Sequence, residues 1–147
     1  MPIYLHIDLR KDTPGCAELW WYASTCRHLG IGGTHSDPAV VTAQQTAMRR
    51  YHELERFFKR GDFYGINEEV HIHALPEENA FVANLFNLSD QKRVVGGSIE
   101  LARMGLKAER LEPATEDVGT LEKGVWTIHR EMQPWSSQVV YVQAVQP

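Results

Sequence analysis

At Gly61 the hydrophobic rhythm of the chain changes, and that change divides what the sequence can fold into. Upstream, one long stretch repeats at helical spacing: Ala47, Tyr51, Leu54 and Phe58 fall at i, i+4, i+7 and i+11, the apolar stripe of an amphipathic helix. Its start is written in Ser36-Asp37-Pro38, with Asp37 as N-cap and Pro38 in the first turn. The helix is predicted over Pro38–Arg60, with Gly61 ending it as a C′ residue. Downstream, helical spacing gives way to short runs rich in Val, Ile and aromatics: "EEVHIHAL", "AFVANLFNL", "KRVVGGSIEL", "GVWTIHREM" and "SQVVYVQAV". "PEEN", "SDQ" and "QPWS" separate some of them as turn signals. The pattern predicts an antiparallel all-β sandwich.

Before the long helix, Ile3, Leu5, Ile7 and Leu9 alternate with Tyr4, His6, Asp8 and Arg10, which is strand periodicity. "KDTPG" follows as a helix entry, with Asp12 or Thr13 as cap and Pro14 in the first turn. A helix over Cys16–Arg27 and a short glycine-rich strand over His28–Gly32 come next. Strand, helix, strand, helix implies parallel strands with helical crossovers. The fold class expected is therefore an α/β segment of two barrel-like β/α units over residues 1–61, then an antiparallel sandwich over 62–147, with the boundary between Gly61 and about Asn67. A chain that opens on a strand points to further sequence upstream of Met1.

The net charge of −4 gives no general attraction to nucleic acid, and no apolar run reaches the ~20 residues needed to cross a bilayer as a helix. The N-terminus lacks a basic region and a continuous apolar core, so no signal peptide is expected and a cytoplasmic setting fits. Cys16 and Cys26 lie ten residues apart in one predicted helix, about 15 Å, too far for a disulfide. Asn87-Leu88-Ser89 is a glycosylation sequon without a secretion signal beside it.

Gly30, Gly32, Gly33 and Thr34 superficially suggest a nucleotide loop. No Lys-Ser/Thr pair follows as in a Walker loop, and the third glycine is misplaced for a dinucleotide fingerprint. A tight strand-to-helix turn explains them better. His71 and His73 share a strand face about 6.5–7 Å apart. No third ligand is specified, so neither a metal nor a cofactor is expected. Arg49, His52, Arg56 and Lys59 share a helix face that reads as solvated.

The order of these segments, with "LERFFKRGDFYGI", "ENAFVANLFNLSDQ" and "PWSSQVVYV", resembles the C-terminal end of an α-galactosidase-like glycoside hydrolase, in which a (β/α)₈ barrel precedes an antiparallel sandwich. The resemblance covers nearly the whole chain. It implies that Ile3–Arg10 and His28–Gly32 are the last two barrel strands and Pro38–Arg60 the last barrel helix. It further implies that His6, Asp8, Arg10, Thr34 and His35 border a sugar pocket. The family's two catalytic carboxylates belong to earlier strands that this chain does not contain. No residue here takes their roles, since a retaining enzyme needs a pair about 5–5.5 Å apart. The expectation is a catalytically incomplete fragment whose partners are carbohydrate, in the complete enzyme, and a second copy covering exposed strand edges. The alternative is a non-catalytic sandwich module that binds carbohydrate or protein, which a row of exposed Trp126 and Trp135 would favour.

Overall fold

A computed structural model describes residues 4–8, 12–23, 28–112 and 117–146. Strand β1 (Tyr4–Asp8) leads to helix α1 (Pro14–Tyr22), strand β2 (His28–Gly32) and helix α2 (Pro38–Arg60). The remaining strands are β3 (Asp62–Asn67), β4 (Val70–Leu75), β5 (Ala80–Phe86), β6 (Arg93–Glu100), β7 (Arg110–Glu112), β8 (Thr120–Glu122), β9 (Val125–Met132) and β10 (Ser137–Val145).

Both helices start as their caps dictate. The Thr13 hydroxyl accepts from Cys16 N and the Asp37 carboxylate from Ala39 N, each followed by proline at the first helical position. The predicted bounds of α2 hold, and its stripe of Ala47, Tyr51, Leu54 and Phe58 is buried. Gly61 ends the helix as expected. Its φ is −71°, an extended conformation, and not left-handed. Glycine is needed there because a Cβ would lie 2.5 Å from the Phe57 carbonyl oxygen and 3.0 Å from that of Ala74.

The β strands form a five-stranded antiparallel sheet in the order β3-β4-β5-β10-β7 and a three-stranded one in the order β6-β9-β8. They pack face to face as a sandwich around Ile72, Phe81, Leu85, Trp126, Ile128 and Val142. The other face of the larger sheet is covered by the two helices through Trp21, Tyr22, Tyr51, Leu54, Phe57 and Phe58, against Leu75, Ala80, Val82 and Phe86. All seven residues of β5 are consequently buried, odd positions toward the sandwich and even ones toward the helices. That double burial is why its sequence reads as a nearly unbroken apolar run.

The structure overturns the expected fold class. The chain is mostly β, with eight antiparallel strands in two sheets and two α-helices among the described residues, and not a barrel-like α/β segment followed by a sandwich. Strands β1 and β2 do pair in parallel, but as a sheet of two. The buried faces of α1 and α2 are spent on the sandwich. An amphipathic stripe needs an apolar surface, and local periodicity does not say which sheet supplies it. Residues 62–67, read from sequence as a connection, form the edge strand β3.

Candidate functional site

The parallel register sets Tyr4 beside His28, His6 beside Gly30 and Asp8 beside Gly32, so both strands end together. The two connections into helices leave from that one end. In open parallel sheets this carboxyl end is where ligands gather. Asp8 and the turn Gly33-Thr34-His35 share it, with His6 two residues further back. Gly33 has φ +82°, a left-handed conformation that turns the chain sharply after β2. Thr34 is exposed and His35 half-buried. The His35 Nδ1 accepts the Asp37 backbone N–H at 3.0 Å, and Asp37 Oδ1 accepts from Ala39 N at 2.8 Å. With Nδ1 as acceptor, neutral His35 carries its proton on Nε2. Asp37, the residue that caps α2, therefore also orients His35 through its backbone N–H. Of the five residues expected to border a sugar pocket, the fold brings Asp8, Thr34 and His35 to one end of the pair. His6 lies within β1, and Arg10 falls outside the described residues.

His71 and His73 occupy the helix-facing side of β4. His73 is nearly fully buried, with its ring against Phe58 and Phe63, while His71 packs on Phe63 and Phe86. His71 Nδ1 and His73 Nε2 are both buried without a hydrogen-bond partner among the described residues. Burial, reinforced by the neighbouring His71, pushes the His73 imidazole down to about 4. Burial also lowers His71. Among the described residues no three His, Cys, Asp or Glu side chains come together as a metal site. The surroundings of this pair are aromatic.

The basic face of α2 is threaded with acids. Arg50 meets Glu53, Lys59 and His52 share Glu55, and the Arg56 Nε reaches both oxygens of Glu78 at 2.9 and 3.1 Å. Such pairing offsets much of the positive charge at His52, Arg56 and Lys59. Trp126 lies in the sandwich core and donates to the Val118 carbonyl at 2.7 Å. Trp135 is 57% exposed in the turn between β9 and β10, beside the exposed Leu88. The two do not form a row. Cys16 is a free, half-buried thiol, and Cys26 lies outside the described residues.

Sequence reasoning missed two buried asparagines. Asn84 donates from Nδ2 to the Tyr22 carbonyl at 2.6 Å. Asn87 reaches the carbonyls of Gln91, Met132 and Gln133 at 2.7, 3.2 and 2.9 Å, which encloses the amide nitrogen of the sequon in the fold. Their signal was present, since an amide inside an apolar strand must find partners when buried.

The described helices include none long and apolar enough to cross a membrane. No protein-family model, curated protein or solved structure matches the chain.

Proposed function

We propose that this chain is a non-catalytic part of a carbohydrate-active protein related to glycoside hydrolases, and that it supplies one wall of a sugar site. The observation that supports the reading is the register of Asp8 against Gly32 at the carboxyl end of the β1–β2 pair, where Thr34 and the oriented His35 follow at once. A sugar is read by a few convergent hydroxyl, imidazole and carboxylate groups, and these are the residue types gathered there. Glycines at 30 and 32 leave the neighbouring strand without side chains beside His6 and Asp8. Hydrolysis needs two carboxylates at a defined separation, and the resemblance that suggests the sugar assigns both to strands outside this chain.

The test is a pair of measurements on the purified chain. Aryl glycosides should not be turned over, and clear hydrolysis would overturn the assignment of a non-catalytic role. Titration with a galactoside should shift amide resonances of Asp8 and Gly32–His35, and Asp8→Asn should abolish the shifts. Shifts confined to other elements, or none at all, would sink the sugar site.

The partner on this reading is a second copy. Among the described residues β1 and β2 pair only with each other, and a two-stranded sheet is marginal in water without cover. Sedimentation at tens of micromolar should find a dimer or larger species, and a clean monomer would refute self-association.

A further inference from the structure

A polar cleft opens between α2, β9 and β10. It holds about 340 Å³ and is lined by Arg50, Asp117, Arg130, Gln138, Val139 and Val140. Three layers of the fold meet there. Val139 belongs to the helix-facing core and Val140 to the sandwich core, so the cleft wraps the β10 edge from one face to the other. Arg50 enters from α2 and Arg130 from β9 in the smaller sheet. Among the described residues β7 pairs with β10 only at Gln143–Val145, short of the cleft.

Arg50 and Arg130 therefore line the cleft from opposite layers, and among the described residues neither guanidinium has all its donors paired. Arg50 gives one bond to Glu53, at 3.0 Å. Arg130 uses one nitrogen for the Asp117 backbone carbonyl and, at 3.4 Å, its carboxylate. The Arg130 Nε is buried with no partner among the described residues. A buried unpaired donor on a cation is costly, so a negative charge placed beside this guanidinium is favoured. The guanidinium fork matches the two-oxygen edge of a carboxylate or phosphate. The volume lies within the range of small-molecule sites.

We infer that the cleft between α2 and β9 binds a small oxyanion, a carboxylate or phosphate group, held between Arg50 and Arg130 with Gln138 contacting the rest of the ligand. Asp117 competes for the same guanidinium and keeps the site occupied when no ligand is present. The inference is independent of the sugar reading.

The experiment uses the whole chain, titrated with inorganic phosphate and with glucuronate at constant ionic strength made up with chloride, followed by amide shifts and calorimetry. Saturable binding is expected for at least one probe. Glucuronate alone assigns a carboxylate ligand, phosphate alone a phosphoryl ligand, and both leave the shared oxyanion chemistry standing. Arg50→Gln should weaken binding about tenfold, as expected for losing one charge-assisted contact. Arg130→Lys keeps the charge but loses the fork, and should weaken it by a similar factor. Asp117→Asn removes the competitor and should tighten binding. Arg50 lies on a half-exposed helix face, so its variant reports even if changes at Arg130 disturb folding. Absence of saturable binding by both probes, or affinities unchanged in Arg50→Gln and Arg130→Lys, would overturn the proposal.

Discussion

The side chain of Asn84 in β5 donates to the main-chain carbonyl of Tyr22, the last residue of α1, across 2.6 Å of buried space. That bond ties the first helix to the central sheet. The Asn84 Oδ1 has no partner among the described residues. Asn84→Ala thus deletes one orphan acceptor but leaves the Tyr22 carbonyl without its donor. The expected loss is about 1–3 kcal/mol, read as a lower urea midpoint. Asn84→Asp should be worse than Ala, because it sets a carboxylate against a carbonyl in a buried site. The opposite ranking would mean that the hydrogen bond does not hold the helix.

His73 makes stability depend on pH in a stated direction. Its folded pKa, about 4, lies below the ordinary value of 6.5. Between those values the unfolded chain binds the proton and the folded chain does not, so acid favours unfolding. The His73 contribution is complete above about pH 6.5 and is lost as pH falls toward 4. The full shift corresponds to about 3 kcal/mol. His71, lowered in the same direction, adds to the slope. Thermal melts across pH 4–7 should show this decline, and His73→Leu should flatten much of it. An unchanged profile in that variant would place the acid sensitivity elsewhere.

Asn87 holds three carbonyls from two segments, Gln91 on its own turn and Met132 and Gln133 at the end of β9. Its Oδ1 also accepts from Ser89 N and Oγ at 3.1 and 2.7 Å. Asn87→Asp keeps the acceptor and deletes the donors, so it isolates the carbonyl contacts. Hydrogen exchange should rise in the β5–β6 and β9–β10 turns together. Faster exchange in only one of them would show that Asn87 does not join the two.

What the sequence made legible was local. The Asp37-Pro38 start of α2, the cap before α1, and strands β4, β5, β6, β9 and β10 follow from caps, periodicity and turn residues. What stayed hidden was long-range. The stripe on α2 announces a buried face without naming its partner, and the partner is the back of the sandwich sheet. Two β/α units in sequence suggested barrel geometry, yet their helices cover β4, β5 and β10. Strand β3 carries Gly65 and exposed Phe63, a weak pattern that pairing with β4 alone makes a strand. At the candidate site, Asp8 and Gly32 were both visible as residues. Their register was not, because pairing is set by the whole sheet. The Arg50–Arg130 cleft joins residues eighty positions apart, beyond the reach of any periodicity.

Gly61 separates two explanations for a glycine at a helix end. A left-handed C′ residue tolerates asparagine nearly as well as glycine, because the demand is on φ. Here φ is −71°, and the demand is instead on space between the Phe57 and Ala74 carbonyls. Both oxygens belong to backbone, so neither can rotate away from an added methyl group. Gly61→Ala and Gly61→Asn should therefore be destabilising alike, by about 1–3 kcal/mol, the usual cost of forcing atoms into filled space. Gly124 provides the contrast: its φ is +79° and nothing lies within 4 Å of an added Cβ. There alanine should cost about 1–2 kcal/mol through φ alone, and asparagine should recover part of it. Urea midpoints of the four variants decide the matter. If Gly61→Asn proves as stable as the parent while Gly61→Ala does not, the helix end is held by backbone conformation and the close approach of α2 to β4 is not what demands glycine.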